Sequence, residues 1–164
     1  MFKVGFSTIG CPEYTVAQVA DLARDSGYEG VELRFLRGVV DLTSLDELAG
    51  VQTLLETHDD FSTSDRVGLV LGQSSERLGV LWGMLHSWRH GEPIEQTYAR
   101  LGDRIRQVHA KDSSVATPDG FDLVLTGTGI APLGDLISIL LAGGFDGYVD
   151  FEWEKAWHPE IEGP

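Results

Sequence analysis

Gly144-Phe145-Asp146-Gly147-Tyr148-Val149-Asp150-Phe151-Glu152-Trp153-Glu154-Lys155 is the stretch on which the reading of this chain turns. Ahead of it, residues 131–142 carry apolar side chains at helical spacing, and the Gly-aromatic-acid-Gly that follows is a turn out of a helix. Residues 148–152 then read as a short strand whose far end holds the acids Glu152 and Glu154. The same device occurs near the start of the chain. Thr15-x-x-Gln18 is a capping box, and Val16, Val19, Ala20, Leu22 and Ala23 follow at helical spacing. Gly27-Tyr28-Glu29-Gly30 then leads into a strand at 31–35, so one helix-to-strand unit is used at least twice.

Working outward, further strands are predicted at residues 2–7, 51–56, 78–82 and 105–109. Helices are expected from Thr43-Ser44 to Gly50, weakly across 64–72, and from Pro93 to near Gly102. Residues 84–89 read as a loop, and so do residues 112–129, which are rich in Ser, Thr, Pro, Gly and Asp. Gly127-Thr128-Gly129 lacks the third glycine and the preceding strand of a dinucleotide fingerprint, and is read as a turn. The tail from His158 is irregular. Strand alternates with helix throughout, which defines an α/β fold with a parallel sheet. A full (β/α) barrel has eight such units. About six parallel strands are countable here, so residues 1–164 are expected to form a single truncated TIM-barrel-like domain.

The 164 residues suffice for one domain with its own core. Twelve Lys and Arg stand against 26 Asp and Glu, a net charge of −14, which repels phosphate backbones and anionic lipid. No nucleic-acid partner and no membrane partner is expected. No run approaches the length of a membrane span, and the amino terminus leads straight into a strand, so cytoplasm is the expected location. Cys11 is the single cysteine and has no internal disulfide partner, which fits a reducing compartment.

In a parallel α/β protein the carboxyl ends of the strands share one face, and residues distant in sequence meet there. Three predicted strands end on metal-binding residue types: Glu56-Thr57-His58, His109-Ala110-Lys111-Asp112 and Glu152-Trp153-Glu154-Lys155. A fourth, 78–82, ends on Gly83, with His86 three residues beyond. Glu, His and Glu form a mixed oxygen and nitrogen shell suited to Mg, Mn, Fe or Zn. The plain alternative is a set of solvated strand-end acids and a rim histidine in an acidic chain.

Six stretches together resemble the sugar phosphate isomerase/epimerase family of xylose-isomerase-like TIM barrels. They are Gly5-Phe6-Ser7-Thr8-Ile9-Gly10-Cys11-Pro12, Gly30-Val31-Glu32-Leu33-Arg34, Leu55-Glu56-Thr57-His58-Asp59, Gly79-Val80-Leu81-Trp82, Val108-His109-Ala110-Lys111-Asp112 and Phe151-Glu152-Trp153-Glu154-Lys155. The resemblance covers nearly the whole chain in family order. It implies that strands one, two and five to eight of the barrel are present, and that two to three βα units are missing near residues 50 and 51. It also implies a metal shell of Glu56, His109 and Glu152. The family's fourth ligand, an Asp after Trp, falls at Gly83. A divalent metal (Mn, Mg, Co or Zn) is therefore expected to bind weakly.

The same resemblance implies proton transfer through an enediolate on a small sugar or sugar phosphate, with Glu56 and Glu152 as the catalytic acid and base. His86, Arg34, Lys111, Lys155, Trp82 and His158 are the expected substrate-binding residues, with His58 and Asp59 behind Glu56 and with Trp153 and Trp157 as further aromatic walls. Singly, each of the cations reads equally as a salt-bridge partner and each aromatic as a core cap. Two other functions stay open: a non-catalytic remnant that binds a sugar-like ligand or a protein, and an apurinic-site endonuclease-like nuclease. The missing strands leave parallel edges, so a homo-oligomer is expected.

Overall fold

A computed structural model describes residues 2–32, 54–74, 78–155, 157–159 and 161. Its centre is Lys3–Ser7 (β1), which pairs in parallel with Gly30–Glu32 (β2) on one side and Tyr148–Phe151 (β8) on the other. The two strands launched by the repeated glycine turn thus flank the first strand. In each turn the leading glycine has positive φ, 74° at Gly27 and 67° at Gly144, a conformation that costs glycine nothing. The helix before the first turn, Val16–Ser26 (α1), starts with both halves of the Thr15–Gln18 capping box in place.

Beyond β8 come Ile105–Ala110 (β5), Gly79–Gly83 (β4) and Leu54–Glu56 (β3). The sheet order is β2-β1-β8-β5-β4-β3, every pair parallel. It is a curled half-barrel, with β2 and β3 as its edges among the described residues. The curl is visible in side-chain reach. Strands ~4.8 Å apart would hold β2 and β5, three spacings distant, about 14 Å from each other in a flat sheet. Yet a Glu32 oxygen lies 3.0 Å from a His109 ring nitrogen.

The convex face carries the core. Val80, Trp82, Ile105, Val108 and Val149 pack under the helices Ser64–Leu71 (α2), Met84–Arg89 (α3), Ile94–Leu101 (α4) and Leu133–Ala142 (α5), through Val67, Leu85, Ile94, Leu101, Leu136 and Leu140. Each such buried side chain contributes roughly 1.5–3 kcal/mol. Alternation then sends Gly5, Ser7, Glu32, Glu56, Gly83, Gln107, His109 and Asp150 to the concave face. A bulge is decisive for β5: Val80 pairs with Ile105 but Leu81 with Gln107, so Arg106 is the extra residue. Ile105 therefore joins the core, and Gln107 and His109 turn into the hollow.

Two loop expectations are corrected. Residues 112–129 hold a hairpin, Asp112–Thr117 (β6) with Gly120–Val124 (β7), closed at Pro118-Asp119. The Ser/Thr/Pro/Gly composition around it masked it, although Phe121 and Leu123 alternate with Asp122 along β7 and Phe121 packs on the core. Residues 84–89 are helical rather than a loop; α3 follows β4 directly and lacks a side-chain cap to announce it. The expected helix at 43–50 and the outer parts of the strands at 31–35 and 51–56 lie outside the described residues. Among those described, no helix is long and apolar enough to cross a membrane.

Candidate metal centre

Glu56 ends β3, His109 sits one residue before the end of β5, and Glu152 follows β8 directly, where its amide still bonds to the carbonyl of Ala110. All three side chains enter the hollow of the sheet. One ligand atom from each lies within 4.8 Å of the others. His109 is fully buried, with Nδ1 3.4 Å from a Glu56 oxygen and 3.3 Å from Glu152 Oε2. Its other nitrogen, Nε2, faces Glu32 at 3.0 Å. Two carboxylates and an imidazole nitrogen converging on one point form a donor set that fits a divalent cation.

Lys111, expected to bind substrate, is held by carboxylates of the centre. It is wholly buried, with Nζ 2.7 Å from Glu152 Oε2 and also paired with Glu154. Burial alone would push Glu152 up, but His109 and Lys111 outweigh it and hold the carboxyl well below its ordinary range. Burial alone would lower His109, yet Glu152, Glu32 and Glu56 raise it well above an ordinary imidazole. The acids that suit a cation thus also hold a proton on the ring, so metal and proton compete. Below this level Asp150 is almost fully buried and accepts a hydrogen bond from Gln107. Gly5 makes room for it, because a Cβ there would sit 1.8 Å from its Oδ1.

His86 lies on α3, buried, and neither of its ring nitrogens has a hydrogen-bond partner among the described residues. Burial, with Lys111 and His58 nearby, holds it neutral. The His58 ring lies 4.0 Å away, and Phe121 from the β6–β7 hairpin meets His86 edge-on at 5.6 Å. Lys111 Nζ is 5.2 Å from the centre of the same Phe121 ring. At Gly83 a Cβ would lie 3.0 Å from both the Thr57 carbonyl and the His86 ring, so neighbours close in on the position where the resemblance puts a fourth ligand.

The other expected residues divide. Trp82 is corrected: it is fully buried on the convex face, its indole N–H donating to Ser87, because neighbours on a strand point to opposite sides and Gly83 takes the hollow. Arg34 lies outside the described residues. Lys155 bonds to the Ile161 carbonyl, and His158 Nε2 is 3.7 Å from Glu154 Oε2, which places both around the tail that follows β8. Trp153 is buried and stacks on Phe151, whereas Trp157 is half exposed. Asp59 Oδ2 lies 3.0 Å from His58 Nδ1 at the rim. The sequence assigns no role to Glu32 or Phe121, and to Glu154 only a place among the strand-end acids. Glu32 offered a signal, as a strand residue two positions beyond a repeated glycine turn. Phe121 offered a weak one, since it alternates with Asp122 and Leu123 in the manner of a short strand.

A family model described as xylose isomerase-like TIM barrel matches residues 8–163. Among solved structures, the probable 3-DHS dehydratase AsbF involved in petrobactin synthesis from Bacillus anthracis superposes with a TM-score of 0.71 at 17% identity, covering 93% of each chain. The IOLI protein with a binding zinc atom gives 0.75 at 13% identity, over 98% of this chain and 92% of that one. A xylose isomerase domain protein from Planctomyces limnophilus gives 0.57 at 21% identity, over 87% of this chain and 57% of that one. Identities this low speak for a shared fold alone. No curated protein is a significant match.

Proposed function

The chain belongs to the xylose isomerase-like TIM barrel family, and on that premise we propose that it is a divalent-metal-dependent isomerase or epimerase of a small sugar or sugar phosphate. The observation that carries the reading is the meeting of Glu56, His109 and Glu152 within 4.8 Å in the hollow of the sheet. The zinc named in the IOLI structure supports the same reading. A bound cation would supply electrophilic polarisation of a substrate carbonyl.

The chain's own residues do the rest. Glu56, the more accessible of the two carboxylates, takes the proton from the carbon next to the carbonyl. Glu152, kept ionised by Lys111 and His109, stays available as ligand and as the partner that exchanges the proton at the other carbon or face. Return of the proton to the neighbouring carbon gives isomerisation; return to the opposite face gives epimerisation. His86 and Phe121 form the wall beside Lys111 and exclude water from that side. Cytoplasmic location and self-association belong to the same proposal.

A second reading is favoured by Gly83 and Lys111. The fourth ligand position holds no side chain, and an ammonium already neutralises part of Glu152, as expected of a metal-poor remnant that binds without turnover. Exchange of the substrate's α-proton with deuterated water tests the enzyme. With a panel of small ketoses and their phosphates, exchange is expected in the wild type. Glu56→Gln and Glu152→Gln should each lose it by about 100-fold or more, because Gln keeps the volume but not the basicity. Wild-type exchange in either variant removes that residue from the mechanism.

A further inference from the structure

The imidazole of His109 has two faces, and only one looks toward the candidate cation. Nδ1 lies between Glu56 and Glu152, while Nε2 faces Glu32 at 3.0 Å, and the ring is fully buried. An imidazole that ligates through one nitrogen must carry its proton on the other, and which nitrogen does so is set by the partner of the second. Glu32 is the residue the fold brings within reach for that purpose, its carboxylate 3.0 Å from Nε2 but not aligned on it as a hydrogen bond, so a small turn of either side chain completes the pair. It lies on β2, an edge strand among the described residues, and reaches a ring on β5 only because the sheet curls and because β1 presents Gly5 and Ser7 to the hollow between them. Its side chain is 13% exposed, so the pair meets largely out of water, where a hydrogen bond to a carboxylate is strong.

We propose that Glu32 is a positioning residue of the metal centre: its carboxylate accepts the Nε2–H of His109 and so turns the Nδ1 lone pair toward Glu56 and Glu152. This rests on the metal reading above. It assigns to the second strand a part in a centre otherwise built from the third, fifth and eighth. It also explains why an acid is placed deep in a hollow already rich in acids. The carboxylate at this position offsets nothing on the cation directly; it fixes the tautomer of the residue that does.

The test is a Zn²⁺ titration of the whole chain with four variants, followed by ¹H–¹⁵N spectra of histidine-labelled, Zn²⁺-loaded protein. Glu32→Ala and Glu32→Leu both remove the acceptor, one leaving a hole and the other filling it, so a folding defect in one leaves the other to be read. Both should weaken Zn²⁺ by about 10–100-fold and lose the protected Nε2–H signal of His109. Glu32→Gln keeps an acceptor oxygen and should stay closer to wild type on both readouts, a rescue that a purely structural role would not give. Wild-type affinity and an unchanged His109 signal in the Ala or Leu variant would overturn the role of Glu32 while the centre stands. Glu152→Gln separates the two ideas: if the wild type binds no Zn²⁺, or binds it as well as Glu152→Gln does, the metal reading itself falls and this inference with it.

Discussion

At the residue scale the hollow concentrates charge that water would otherwise solvate, and Asp150 shows the consequence. Burial, with Glu32 and Glu152 nearby, pushes its carboxyl from 3.8 to about 6, against the opposing pull of Gln107 and His109. The folded state therefore binds the Asp150 proton more tightly than the unfolded chain. The resulting stability is fully present below pH 3.8 and is lost as pH rises through about 6. Asp150→Asn has nothing to lose over that range. In chelator-treated protein it should melt above wild type at pH 8, by on the order of 2 kcal/mol, with the difference vanishing near pH 4. A variant that melts below wild type at both pH values would show that the Gln107 bond outweighs the burial cost. Glu56, His109 and Glu152 were legible in the sequence because each stands at the end of a recognisable strand. Glu32 was legible only as a strand residue, since its partner is three strands away and nothing local announces the curl.

Elements explain what the sequence hid. As an aromatic at a strand end, Trp82 reads either as a wall under a sugar ring or as a core cap; a period of two sends it and Gly83 to opposite faces, and Trp82 takes the core. The bulge at Arg106 could not be foreseen either, yet without it Ile105 and His109 would share a face. The β6–β7 hairpin was hidden by the Ser, Thr, Pro and Gly around it, though its anchor is clear in the fold: the Asp112 carboxylate accepts backbone N–H groups from Ser113, Gly127, Gly129 and Ala131. That anchor holds Phe121 over His86, Lys111 and Arg89. Phe121→Ala should cost about 1–2 kcal/mol in chemical denaturation, less than a fully buried ring because Phe121 is part exposed. It should also let water reach His86, whose ring protons would begin to shift with pH. A silent His86 and unchanged stability would mean that the hairpin covers nothing of importance.

For the whole molecule, the truncated α/β character and the parallel order were legible from the alternation of strand and helix and from the repeated glycine turn. The way an incomplete barrel manages its edges was not, because pairing across the gap depends on curvature and on residues beyond the strands themselves. With β2 and β3 as sheet edges among the described residues, a parallel sheet is expected to be covered by a second chain. Light scattering coupled to size exclusion at micromolar concentration should give a homodimer or larger; a sharp monomer peak would refute this.

The central claim is that three strand ends make one metal centre, and calorimetric titration with Mn²⁺ tests it most directly. Wild-type protein should bind one ion per chain, weakly for want of a ligand at Gly83. Glu56→Gln and Glu152→Gln should each lose about tenfold or more in affinity, with unchanged circular dichroism. Absence of binding to the wild type, or equal affinity in all three proteins, would contradict the account.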